Sequence, residues 1–213
     1  MGQNTSSAVM QQRKEPSDSL DFFPTPLWAT RALVEHVIRP YFLTGGIVWE
    51  PACGQGHMAR PLGEYFNTVF ASDVFDYGFG DVRDFLWPVA LPPHLSGCDW
   101  VITNPPFNLA KAFIKRGLEV ADGVAVLVRT SFLEGVGRYR DIFSVTPPSI
   151  IAPFCERVPM IKGRVDIKAT TATSYCWLVF RRGQNHHAKP DFVWIPPCRK
   201  QLERPGDYDP VAA

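Results

Sequence analysis

The segment Gly46-Ile-Val-Trp-Glu50-Pro51-Ala52-Cys53-Gly54-Gln-Gly56 decides the architecture. Its opening, Gly46 to Glu50, is a short apolar run with β-branched Ile47 and Val48, which reads as a buried strand. Gly54 and Gly56 then mark a tight turn, and His57 to Phe66 carries a helical pattern. Strand, glycine turn and helix together form the geometry of a nucleotide-like cofactor site. Glycine lets the backbone approach the ligand, and the start of the helix points free N–H groups at it. Ala59 stands where a dinucleotide fingerprint has its third glycine, and no Lys-Ser/Thr follows as in a phosphate-binding loop, so neither fingerprint is complete. On the two glycines alone, an ordinary strand-to-helix turn explains the segment equally well.

The next strand ends add chemistry. Thr68 to Ser72 is a second short strand, and Asp73-Val74 follows it. A carboxylate in that place can accept both hydroxyls of a ribose. Glu50, at the end of the first strand, faces the same crevice. Asp84-Phe85-Leu86 offers an acceptor for an adenine amino group with apolar neighbours to sandwich the ring. As alternatives, Asp73 serves as a turn or cap residue and Asp84 as an exposed acid beside core residues.

Asp99 to Thr103 is another strand, and it runs into Asn104-Pro105-Pro106-Phe107. Two prolines remove two backbone donors and stiffen the chain. The turn therefore presents acceptors: the Asn104 side-chain carbonyl and the Pro105 backbone carbonyl. Phe107 supplies a flat surface for stacking. These parts suit the binding of a planar amino group. An exocyclic NH₂ is a poor nucleophile because its lone pair is delocalised into the ring. Two acceptors holding its hydrogens favour a pyramidal nitrogen, and proximity to an electrophilic methyl does the rest.

Around these motifs the chain alternates helices with strands. A helix is expected from Pro26 to Arg39, with Thr25 as its cap and Pro40 as its stop, and another from Leu109 to Ala121. Further strands are expected at 123–128, 149–152 and 175–180. Strands alternating with helices argue a mostly parallel α/β sheet covered on both faces. Residues 1–20 are polar and aperiodic, which reads as a disordered arm. Residues 183–213 form a Pro-rich extension that wraps the surface or frays.

Composition narrows the function classes. Hydrophobic residues make up 46% of the 213, enough for a core. Lys and Arg total 22 against 21 Asp and Glu, which excludes a uniformly basic nucleic-acid binder but not a local basic patch. No apolar run is long enough to span a membrane, and the first residues lack the apolar core of a secretory signal. Five cysteines, at 53, 98, 155, 176 and 198, show no CxxC spacing. Neither a disulfide framework nor a metal site is signalled, and a cytoplasmic location is expected. Pro197-Cys198 resembles the nucleophile of cytosine-C5 methylation, but it lies in the tail, off any expected strand end. His57 reads as a packing or polar-contact residue, and Cys53 as a small residue beside the cofactor.

Taken together, these motifs resemble the class I S-adenosylmethionine-dependent methyltransferases, in particular the amino-group DNA methyltransferases and among them the prophage-type adenine-N6 methylases. The resemblance covers roughly residues 21–180. It implies a Rossmann-like fold with a seven-stranded, mostly parallel sheet in a methyltransferase domain at 21–182. It implies S-adenosylmethionine as cofactor. Thr25 and Pro26 would lie at its methionine end, Glu50, Pro51, Ala52, Cys53, Gly54 and Gly56 in the glycine motif, Asp73 and Val74 at the ribose, and Asp84 and Phe85 at the adenine. Asn104 would also touch the cofactor. Catalysis would fall to Asn104, Pro105, Pro106 and Phe107, with no metal. The implied reaction is methylation of the adenine N6 amino group in DNA. The same chemistry on an RNA base, on cytosine N4 or on a protein glutamine amide is the alternative, and a non-catalytic nucleic-acid-binding module is a second. The chain lacks the large recognition domain of bigger members, so substrate contacts fall to Phe107 and to the cations of two loops: Arg129, Arg138 and Arg140, then Arg157, Lys162, Arg164 and Lys168.

Overall fold

The structure, a computed structural model, describes residues 22–87, 95, 97–185 and 187–209. The expected N-terminal arm lies outside the described residues. In chain order the elements are α1 (Leu27–Leu33), β1 (Ile47–Glu50), α2 (Ala59–Leu62), β2 (Thr68–Asp73), β3 (Asp81–Val82), β4 (Cys98–Thr103), α3 (Ala110–Val120), β5 (Ala121–Arg129), α4 (Val136–Arg138), β6 (Ile150–Pro153), β7 (Tyr175–Arg181), β8 (Asp191–Phe192) and α5 (Arg199–Leu202).

The strands form one sheet in the order β3-β2-β1-β4-β5-β7-β6-β8. β3 to β5 are mutually parallel, and β7 runs antiparallel between β5 and β6. The sheet thus has eight strands where seven are expected, because the tail contributes β8, parallel to β6. Side chains alternate between two cores, as the two-residue period of a strand requires. Trp100 and Trp177 pack on one face with Trp28, Leu33 and Met58. Val101 and Leu178 pack on the other with Trp49, Phe85 and Phe113. Chain order reverses between β1 and β4, so the crevice for a ligand opens at the carboxyl ends of these strands.

Three expected helices come out differently. Pro26, not Thr25, is the residue before α1, and the Thr25 hydroxyl is turned elsewhere. Past Leu33 the helix widens into a looser turn at Val34–Ile38. The stretch from His57 to Phe66 contains only the four-residue α2, with turns on either side. Pro61 explains the late start. Its ring excludes a regular helical carbonyl four residues back, so it is tolerated only in a first turn. α3 runs one residue short of expectation at each end.

The C-terminal extension wraps the domain through specific anchors. Ile195 and Cys198 are buried, and two backbone N–H groups, of Cys198 and Arg199, donate to Glu156. Arg31 of α1 is 2% exposed and forms an ion pair with Asp207, itself 7% exposed, at 2.7 Å. Glu64 and the Leu202 carbonyl complete its shell. Burial alone would lower its pKa, but these partners hold it above the usual arginine value. Among the described residues no helix is long and apolar enough to cross a membrane.

Candidate active site

The carboxyl ends of β1, β2 and β4 open into a cleft of about 250 Å³. Its wall includes Thr25, Pro51, Ala52, Cys53, Asp73, Val74, Asp84, Phe85, Asn104 and Pro106 from the expected site. Of the remaining expected cofactor and catalytic residues, Glu50 and Pro105 are buried at the adjoining strand ends, and Pro26 is buried at the head of α1. Phe22, Phe23, Pro24, His57, Tyr77, Leu86, Leu109 and Phe113 also line it. Phe22 and Phe23 stand shortly before Thr25, and His57 follows the second glycine. Nothing local in the sequence marks Tyr77 or Phe113.

The glycine turn is held by Asp73. Its Oδ2 accepts the Gly54 N–H at 2.9 Å, and its Oδ1 accepts the Phe75 N–H at 3.2 Å. Each oxygen keeps a lone pair for another donor. Gly54 and Gly56 both have positive φ, +49° and +80°. A Cβ on Gly54 would lie 2.5 Å from Phe22, and one on Gly56 2.6 Å from Phe79. The groups pressed against these glycines are therefore the protein's own rings. α2 is too short to supply much of a helix dipole.

Glu50 is 2% exposed; the Ala59 N–H donates to its carboxyl, and Oε2 has no partner. Burial first, then the nearby Asp73 charge, push its pKa well above the carboxylate range. Burial also raises Asp73 and the Cys53 thiol, so Cys53 is a protonated packing group whose Sγ–H donates to the Phe79 carbonyl. His57 is 6% exposed with Nδ1 unpartnered. Burial, aided by the Arg60 charge, lowers its pKa to about 4, so the ring is neutral at pH 7.

Asn104 follows the last residue of β4. Its Nδ2 donates to the Phe23 carbonyl at 2.9 Å and to Thr25 Oγ1 at 3.1 Å, and touches Met160 Sδ at 3.6 Å. A backbone carbonyl only accepts, so the amide nitrogen must face Phe23. Oδ1 is buried and without a partner. Thr25 is thus an anchor for Asn104 rather than a helix cap, and its own hydroxyl donates to Met160 Sδ. The loop carrying Met160 is also tied to this wall, since the Gly163 N–H donates to the Phe22 carbonyl at 3.0 Å.

Phe107 sits beside the cleft. It packs tilted on Phe23, with centroids 5.5 Å apart, and the Arg129 guanidinium lies 4.1 Å from its centroid. The other expected substrate cations differ in their ties. Arg138 holds the Ser131 and Glu134 carbonyls, Arg140 pairs with Asp141, Arg157 holds the Ala172 carbonyl and the Ser174 hydroxyl, and Arg164 pairs with Asp166. Lys162 and Lys168 are exposed on the loop after Met160. Among the described residues no cluster of His, Cys, Asp and Glu could hold a metal.

By sequence, the chain matches no protein-family model and no curated protein. By structure it is similar to PH1948 of Pyrococcus horikoshii, a candidate RNA methyltransferase, with a TM-score of 0.54 and 17% identity over 82% of this chain and 95% of that one. The fold is that of the class I methyltransferases. An rRNA methylase from Streptococcus thermophilus (TM-score 0.45, 11% identity, 73% of this chain and 95% of that one) is a more distant likeness. So is the N-methyltransferase NodS of Bradyrhizobium japonicum, solved with S-adenosyl-L-homocysteine (TM-score 0.44, 8% identity, 73% of this chain and 85% of that one).

The residues of the cleft fit the cofactor of such a fold. Asp84 stands beside buried Phe85, as an adenine pocket requires, although its Oδ1 also accepts the Leu86 N–H. Asp73 retains acceptor capacity for a diol. His57 Nδ1 lies on this wall, buried and without a partner.

Proposed function

We propose that the chain is an S-adenosylmethionine-dependent methyltransferase that methylates the exocyclic N6 amino group of adenine in DNA. One observation carries this reading: the Asn104 amide is fixed through its nitrogen and left with an unpaired buried carbonyl oxygen, next to two prolines that cannot donate. A buried acceptor without a partner costs about 1–3 kcal/mol, so it is maintained where a ligand donor completes it. Asn104 Oδ1 and the Pro105 carbonyl accept the two amino hydrogens and leave the nitrogen lone pair available. Asp73, Asp84 and Phe85 hold the nucleoside part of the cofactor, and His57 with Thr25 borders its amino-acid end. Held by these residues, S-adenosylmethionine would supply the sulfonium methyl: the amine lone pair would form the N–C bond, the S–C pair would return to sulfur as the thioether of S-adenosylhomocysteine, and the extra proton on nitrogen would pass to solvent. In a duplex the base must leave the stack to reach Asn104.

Labelled methyl transfer to DNA, RNA and protein in parallel tests the proposal, together with base mapping in a methylation-free host that expresses the protein. N6-methyladenine in DNA is the expected product. Label confined to RNA, to protein or to cytosine N4 overturns the substrate assignment. No transfer to any of them, with S-adenosylhomocysteine still bound, favours a binding module.

A further inference from the structure

Arg129 is the last residue of β5, paired across the ladder with Tyr175, and its side chain is exposed. Its guanidinium caps the ring of Phe107 at 4.1 Å. The neighbouring arginines 138, 140, 157 and 164 are tied to carbonyls, hydroxyls or carboxylates. Among the described residues Arg129 has no such tie; its contact is the ring. Phe23, on the same ring, is held in place because its carbonyl anchors Asn104. Unlike Phe23, the guanidinium is not held elsewhere and can leave the ring.

A guanidinium is flat and cationic, stacks on aromatic faces, and binds phosphate oxygens through a rigid fork. We infer that Arg129 is a place-holder for the substrate base. It covers Phe107 until a nucleobase stacks there, and then transfers to a phosphate of the same strand. The exchange keeps both charge and ring satisfied before and after binding. This role rests on the nucleic-acid reading above and adds to it how the stacking surface is opened.

Wild type, Arg129→Ala and Arg129→Lys are compared with S-adenosylhomocysteine saturating, so that the probes cannot enter the cofactor cleft. The probes are an adenine-containing single-stranded DNA, the RNA of the same sequence, and deoxyadenosine. Arg129→Ala is expected to bind the oligonucleotide roughly tenfold more weakly, with a salt slope smaller by about 0.7, the loss of one phosphate contact. It is expected to bind deoxyadenosine about threefold more tightly, because no cation–π contact has to be broken. Arg129→Lys restores the salt slope while keeping the tighter deoxyadenosine binding. Opposite signs for polymer and nucleoside are the signature, since a general packing role moves both the same way. Changes of the same sign, or none, in a variant that still binds S-adenosylhomocysteine overturn the place-holder role and leave the methyltransferase reading standing. A wild type that binds neither oligonucleotide overturns both. The same crossover with RNA alone supports Arg129 and moves the substrate to RNA.

Discussion

Thr25 Oγ1 accepts a hydrogen bond from Asn104 Nδ2 at 3.1 Å, across 79 residues of sequence. Together with the Phe23 carbonyl, which can only accept, this bond holds the amide by its nitrogen. Asn104→Ala should lower kcat by about 10²–10³, as the loss of a positioned polar group does in other sites, while S-adenosylhomocysteine affinity stays near wild type. Thr25→Val keeps the shape and loses the acceptor, and should lower kcat roughly tenfold through a misaligned amide. Calorimetric titration beside steady-state kinetics separates the two effects; equal turnover in Asn104→Ala would falsify the catalytic assignment.

Two buried groups give opposite pH signs. Glu50 titrates higher in the folded chain than in the unfolded one, so the native state holds the extra proton and stability falls as pH rises above about 4.5. Glu50→Gln should therefore melt above wild type at pH 8, with the gap closing towards pH 4. His57 titrates lower when folded, about 4 against 6.5. The unfolded chain holds that extra proton, and stability is lost as pH falls from 6.5 towards 4, at up to ~1.4 kcal/mol per pH unit. His57→Gln should flatten that limb alone. Thermal melts across pH 4–8 check both slopes.

Asp207→Ala takes one of two carboxylate partners from Arg31, in a site only 2% exposed, and leaves Glu64 as the other. Removing one partner of a buried pair costs roughly 3–5 kcal/mol, and Glu64 moderates this to the lower end. Urea unfolding measures it. A loss below about 1 kcal/mol would show that the tail is not anchored through this pair.

Gly56→Ala meets two obstacles, positive φ and the Phe79 ring. The substitution should cost about 1–3 kcal/mol. Adding Phe79→Ala relieves the clash and leaves the backbone strain, so the double variant should recover part of the loss. Identical melting of single and double variants would place the whole penalty in the backbone.

Much of the fold is legible in the residues because its signals are local. β1, β2, β4, β5 and β7 are apolar runs of strand length, and the acids and the Asn-Pro-Pro-Phe turn stand where those runs stop. β3 and β8 are two-residue exposed edge strands with no apolar pattern to read. In α2 the apolar periodicity of His57 to Phe66 spells a longer helix than Pro61 permits.

By itself the sequence determined the alternation of strands and helices, and with it the end of the sheet at which a ligand cleft opens. Hydrophobic period and turn chemistry act over a few residues, so they are written in the chain directly. Tertiary structure alone decided that Thr25 anchors Asn104 instead of capping a helix, that Met160 touches Asn104 and Gly163 bonds Phe22, and that Arg129 lies on Phe107. Each of these joins segments distant in sequence. Their contacts exist only after β-pairing has brought the strand ends together, and no local propensity encodes them.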